Sequence, residues 1–155
     1  MNVYEYAMKV EKEGEAYYRE MANMSPNAGL KRIFTMLAEE EVKHYNVFKS
    51  MMKKEKLDID NLNLITDTQT IFETLANEKD NVSFDEKQIN YYKDAIKREE
   101  NSHNFYIEKS KDIEDEQERQ IFIEIAHEET KHKKVLEEIV YFLEEPDNWV
   151  ASAEF

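Results

Sequence analysis

Glu41-Val42-Lys43-His44 and Glu129-Thr130-Lys131-His132 are one motif, Glu-x-x-His, written twice at a spacing of 88 residues. Each copy has a further glutamate 30 residues upstream, Glu11 before the first and Glu99 before the second. The flanks repeat in register. Leu37-Ala38-Glu39-Glu40 aligns with Ile125-Ala126-His127-Glu128, Ala7-Met8-Lys9-Val10 with Ala95-Ile96-Lys97-Arg98, and Tyr18 with Tyr106. Glu-x-x-His alone is a weak signal in so glutamate-rich a chain. Two copies in register, each with a glutamate at the same upstream distance, are hard to obtain by chance. The fold must therefore set two copies of one unit against each other.

That unit is helical. Only two glycines and two prolines occur in 155 residues, and turn-rich β architectures depend on both. The length suits one domain with a substantial core. A formal net charge of −14 argues against nucleic acid or an anionic membrane surface as a partner and suits a protein that binds cations. Cysteine is absent, which removes disulfides, thiolate chemistry and a four-thiolate iron site. No apolar run approaches 18 residues and no signal pattern opens the chain, so a cytoplasmic location is expected.

Four amphipathic stretches read as long helices. The first runs from about Val3 to Met24 behind Asn2 as cap, with Ser25-Pro26 as its stop. Pro26 suits the first turn of the second helix, which continues to about Lys54. Ser83-Phe84-Asp85-Glu86 is a capping-box signature for the third, which reaches roughly Lys111. The fourth begins near Asp115 and ends before Pro146. The first and third connections are a few residues long, so each pair forms an antiparallel hairpin. Residues 55–82 are too many for a tight turn and read as a crossover, long enough to let the second and third helices run parallel. Within it, Thr70 to Leu75 reads as a short apolar helix covering one side. The expected architecture is an all-α four-helix bundle of two hairpins, 3–54 and 83–145, with a tail over 146–155.

Residues three apart on a helix share a face, so Glu41 with His44 and Glu129 with His132 can each bind one ion. Glu11 and Glu99 on the facing helices supply the other carboxylates. Four carboxylates offset two divalent cations when both imidazoles are neutral, which makes burial tolerable. Oxygen with nitrogen donors and no thiolate points to iron or manganese rather than structural zinc. The competing reading is a duplicated hairpin that keeps buried Glu and His as a hydrogen-bonded network without metal.

Tyr18 and Tyr106 follow Glu11 and Glu99 by seven residues, about 20° short of two full turns, so they lie on the inner face. They read either as hydrogen-bond partners of the ligand carboxylates or relays of protons and electrons, or as plain core. Tyr4 and Tyr92 read as core. His103 shares a face with Glu99, yet its repeat counterpart is Glu15, so a solvated position is favoured. His127, Glu40 and Glu128 are expected to face away from the site. Lys49 to Lys56 reads as a solvated helix end, and Met21, Met24, Met36, Met51 and Met52 as core filler.

The segments Ala7 to Tyr18 and Ile33 to His44, their second-half counterparts, and the tail Pro146 to Phe155 resemble the rubrerythrin branch of the ferritin-like superfamily in its short form. The ligand pattern of that superfamily, one glutamate from each of two helices and Glu-x-x-His from each of the others, is met here. The resemblance implies a ferritin-like bundle with a di-iron centre. Glu11, Glu41, His44, Glu99, Glu129 and His132 would be its ligands, with Glu41 and Glu129 as bridges. It also implies reduction of hydrogen peroxide or dioxygen, electrons from rubredoxin, a homodimer, and a part in oxidative stress.

Two departures stand out. Full-length rubrerythrins carry a rubredoxin domain whose iron is held by four cysteines, absent here, so the electrons are expected from a separate donor. They also carry an extra glutamate three residues after the third-helix ligand, where this chain has Ser102. The remaining six-residue set resembles the ferroxidase site of bacterioferritin. The sequence therefore leaves two oxidoreductase readings, a peroxidase and a ferroxidase that handles iron.

Overall fold

The computed structural model describes residues 1–58, 62, 64–78 and 86–145. Five helices and no strand occur among them: α1 (Val3–Met24), α2 (Ala28–Met52), α3 (Thr68–Asn77), α4 (Glu86–Ser110) and α5 (Glu116–Glu144). The Ser83-Phe84-Asp85 part of the expected capping box and the tail from Pro146 lie outside the described residues.

Local chemistry sets the ends. The Asn2 side chain accepts from the Glu5 N–H at 2.8 Å, satisfying one of the donors that a helix start leaves open. Asp115 does the same for Glu118 at 2.9 Å. Pro26 does not lie in the first turn of α2 as the sequence suggested. Asn27 is the cap instead, its side chain accepting from the Leu30 N–H at 2.9 Å, and Pro26 precedes it. The end of α2 also falls short of Lys54. Lys54 adopts a left-handed φ of 59°, its N–H donates to Met51 O at 3.1 Å and the Glu55 N–H donates to Ser50 O at 3.0 Å. This pair of bonds closes the last carbonyls of a helix without continuing it.

Side-chain pairs give the directions. Tyr6 meets Phe105 and Tyr17 meets Tyr91, so α1 and α4 are antiparallel. His44 meets Glu129 and His132 meets Glu41, so α2 and α5 are antiparallel too. With α1–α2 and α4–α5 forming the hairpins, α2 and α4 run the same way, and the crossover spans the bundle between them. The short α3 packs against α2 and α5 through Ile71 and Leu75, both fully buried.

The apolar core is split. One cluster gathers Met21, Ile33, Phe34, Leu37, Ile71, Leu136 and Ile139 toward one end. The other gathers Phe48, Met51, Tyr106, Ile121, Phe122 and Ile125 toward the opposite end. Between them lies a belt of buried charge.

Candidate metal centre

Glu11, Glu41, His44, Glu99, Glu129 and His132 are all buried at that waist. They form two four-residue groups, Glu11–Glu41–His44–Glu129 and Glu41–Glu99–Glu129–His132, whose ligand atoms lie within 4.8 Å of one another in each group. Glu41 and Glu129 belong to both. The helix spacing that puts Glu and His on one face thus delivers them to a common point from opposite sides.

Both imidazoles turn Nδ1 inward. His44 Nδ1 is 3.1 Å from Glu129 Oε1 and 3.4 Å from Glu11 Oε2. His132 Nδ1 is 3.0 Å from Glu41 Oε1 and 3.6 Å from Glu99 Oε1. Tyr18 and Tyr106 reach the carboxylates crosswise. The Tyr18 hydroxyl donates to Glu99 Oε1, and the Tyr106 hydroxyl donates to Glu11 Oε1 at 2.8 Å. Each tyrosine therefore serves the glutamate of the other repeat.

Four carboxyls this close cannot all ionise unaided. Burial, reinforced by the neighbouring carboxylates, holds Glu41 and Glu129 well above the usual carboxyl range. Glu11 is also pushed up by burial, but the His44 imidazole and hydrogen bonds from Glu41, His44 and Tyr106 override this and leave it at about 2. Burial likewise opposes the ionised form of Glu99, and hydrogen bonds from Glu129, His132 and Tyr18 outweigh it, so its pKa is lowered. For His132, burial acts against protonation but the carboxylates of Glu40, Glu41 and Glu99 prevail, and its pKa stands well above 6.5. Tyr18 and Tyr106 are held well above 10 by burial and by the carboxylates around them, so both keep their protons.

This donor set fits a pair of divalent cations. Glu11 Oε2 and Glu99 Oε2 are buried with no partner at good hydrogen-bond geometry, and His44 Nε2 is buried with none, among the described residues. Two of these are carboxylate oxygens at the cage, the kind of atom that burial leaves unsatisfied only at a cost. Two +2 ions would take the place of the protons on the central pair.

Among the other residues, Glu40 and His103 depart from the sequence reading. Glu40 and Glu128 are both buried; Glu128 does face away from the ligand groups, whereas Glu40 touches one of their members. Glu40 Oε2 lies 2.7 Å from His132 Nε2, and Thr66 of the crossover sits between the two glutamates. Its hydroxyl is 3.2 Å from Glu40 Oε2 and 3.1 Å from Glu128 Oε2, and its N–H donates to Glu128 Oε1 at 2.9 Å. His103 is half-buried rather than solvated and joins neither group. Its Nδ1 is 2.9 Å from both Ala126 O and Thr130 Oγ1. His127 is exposed, and Tyr92 packs on Phe34 with ring centres 5.0 Å apart.

Gly14 is a residue the sequence reading passed over. A Cβ there would stand 2.8 Å from Glu41 Oε2, so the missing side chain leaves room for a shared carboxylate. The repeat offered a signal: the counterpart of Gly14 is Ser102, also small. Ser102 lines a surface cleft of about 150 Å³ between α1 and α4 with Val10, Arg98 and Phe105. A second cleft, about 220 Å³, is lined by Glu99 itself with Glu100, His103, Asn104, Thr130 and Lys133.

A helical bundle with a carboxylate–histidine cage at its waist is of the ferritin-like class, and such a cage could hold metal. The family model described as Rubrerythrin matches residues 2–140. The chain belongs to the rubrerythrin family, whose members suggest a di-iron carboxylate centre here. Neither the curated proteins nor the solved structures gave a match to this chain. No helix among the described residues is long and apolar enough to cross a membrane.

Proposed function

We propose that this protein is a di-iron carboxylate oxidoreductase that reduces hydrogen peroxide, or dioxygen, with electrons from a separate donor such as a rubredoxin. The observation that carries the reading is the sharing of Glu41 and Glu129 by two otherwise distinct groups of four. Glu41 and Glu129 would be common to both ions, Glu11 and His44 would complete one position, and Glu99 and His132 would complete the other. When bound, a ferrous pair supplies the two electrons that, with two protons, turn hydrogen peroxide into two waters.

The protein's part is placement. Tyr18 and Tyr106 keep their protons and fix Glu99 and Glu11 by hydrogen bonds, as outer partners of metal ligands do. The two apolar clusters seal the waist above and below. The cleft at Glu99 gives a small oxidant its approach. A cytoplasmic homodimer acting under oxidative stress completes the proposal.

Iron(II) oxidation for storage or transfer is the second reading, favoured by Ser102 at the place of an additional carboxylate. Anaerobic loading with Fe(II), then mixing with stoichiometric peroxide or with oxygen, tests both. Peroxide is expected to oxidise the bound iron much faster than free ferrous ion. Rates equal to those of free ferrous ion would end the peroxidase reading, and a preference for oxygen would favour the ferroxidase. Glu129→Ala removes a residue common to both positions and is expected to abolish paired binding.

A further inference from the structure

The two halves of the cage differ in one buried contact. His132 presents Nδ1 to the cage and Nε2 to Glu40, at 2.7 Å. His44 presents Nδ1 in the same way, yet its Nε2 is buried with no hydrogen-bond partner among the described residues. The repeat would supply one, because Glu128 corresponds to Glu40. Glu128 is engaged elsewhere: it accepts from the Thr66 N–H at 2.9 Å and lies 3.5 Å from Lys131 Nζ. The crossover exists once in the chain, so it cannot treat the halves alike.

The contact has a defined chemical effect. A carboxylate that accepts from Nε2–H leaves the lone pair on Nδ1, where the cage needs it. It also fixes the ring's orientation and makes the ligating nitrogen a stronger donor. His132 has all three benefits. His44 has none from a side chain among the described residues, where ligation through its Nδ1 leaves a buried Nε2–H unanswered.

We infer that the two metal positions are unequal: the Glu99–His132 position takes a divalent ion first and more tightly, with Glu40 as its positioning residue, and the Glu11–His44 position fills second. The inference rests on the two-metal reading of the cage. Losing an outer partner of a ligating histidine costs roughly 10–100-fold in metal affinity, which sets the expected separation of the two steps.

Anaerobic titration of the metal-free full chain with Co(II), followed by visible absorption and calorimetry, tests it. Two steps are expected, at least about tenfold apart. His132→Ala removes the tighter step, and His44→Ala leaves it. Glu40→Ala weakens the tighter step by about 10–100-fold, while Glu40→Gln, which keeps an acceptor, recovers part of the loss. Circular dichroism of each variant establishes that the helices are retained. Two equal steps in the wild type, or a tighter step that survives His132→Ala or Glu40→Ala, overturns the inference and leaves the cage standing. Absence of Co(II) binding to the wild type overturns the cage as well.

Discussion

Gly14 shows how a single residue can serve the site at the expense of its helix. A glycine inside a helix is less favourable than alanine by about 0.5–1 kcal/mol. Gly14→Ala is therefore expected to raise the melting temperature of the metal-free protein while weakening metal binding, because the new methyl displaces Glu41 Oε2. Unchanged Co(II) affinity in that variant would contradict the account. Tyr106→Phe acts in the other direction. It strips Glu11 Oε1 of its donor, and urea denaturation is expected to show a loss of about 1–3 kcal/mol. At this scale the six cage residues were legible because two periods, the helical turn and the repeat, point at the same positions. Glu40 was not. Counting along α2 shows which face of α2 a residue occupies, whereas the role of Glu40 depends on how closely α5 approaches that face.

Among the elements, the crossover departs furthest from its reading as a connector with an apolar patch. The patch is real: α3 covers α2 and α5 with Ile71 and Leu75. Its apolar residues announced it, although the helix extends beyond them to Thr68 and Asn77. Thr66, two residues earlier, had no such signal, since its partners Glu40 and Glu128 are 26 and 62 residues away. Thr66→Val keeps the shape and deletes the hydroxyl shared by these two carboxylates. It is expected to destabilise the protein by about 1–3 kcal/mol, with Thr66→Ser restoring most of the loss. A valine variant as stable as wild type in urea would show that the clip contributes nothing.

For the molecule as a whole, the waist sets how stability follows pH. Glu41 and Glu129, held well above 4.5, and His132, held well above 6.5, bind more protons folded than unfolded. Stability declines with rising pH wherever the folded state binds more protons. Glu11, at about 2, and Glu99 act oppositely: their contribution is present above 4.5 and is lost as pH falls through their folded values. The metal-free protein should therefore melt higher near about pH 5 than near about pH 8. Metal must displace the same protons, so binding strengthens with pH and the loaded protein should show the reverse slope. Thermal melts by circular dichroism at both pH values, with and without Co(II), check both slopes. A metal-free melt that rises between them would refute the proton assignment.

A free pair of identical hairpins could assemble the same six residues, but every change in one would appear in the other. Joining the two copies through a crossover lifts that constraint. Each half can then drift toward its own task, one keeping its ion and the other exchanging it. Glu40, turned to histidine, and Glu128, turned to threonine, are twins that have already parted.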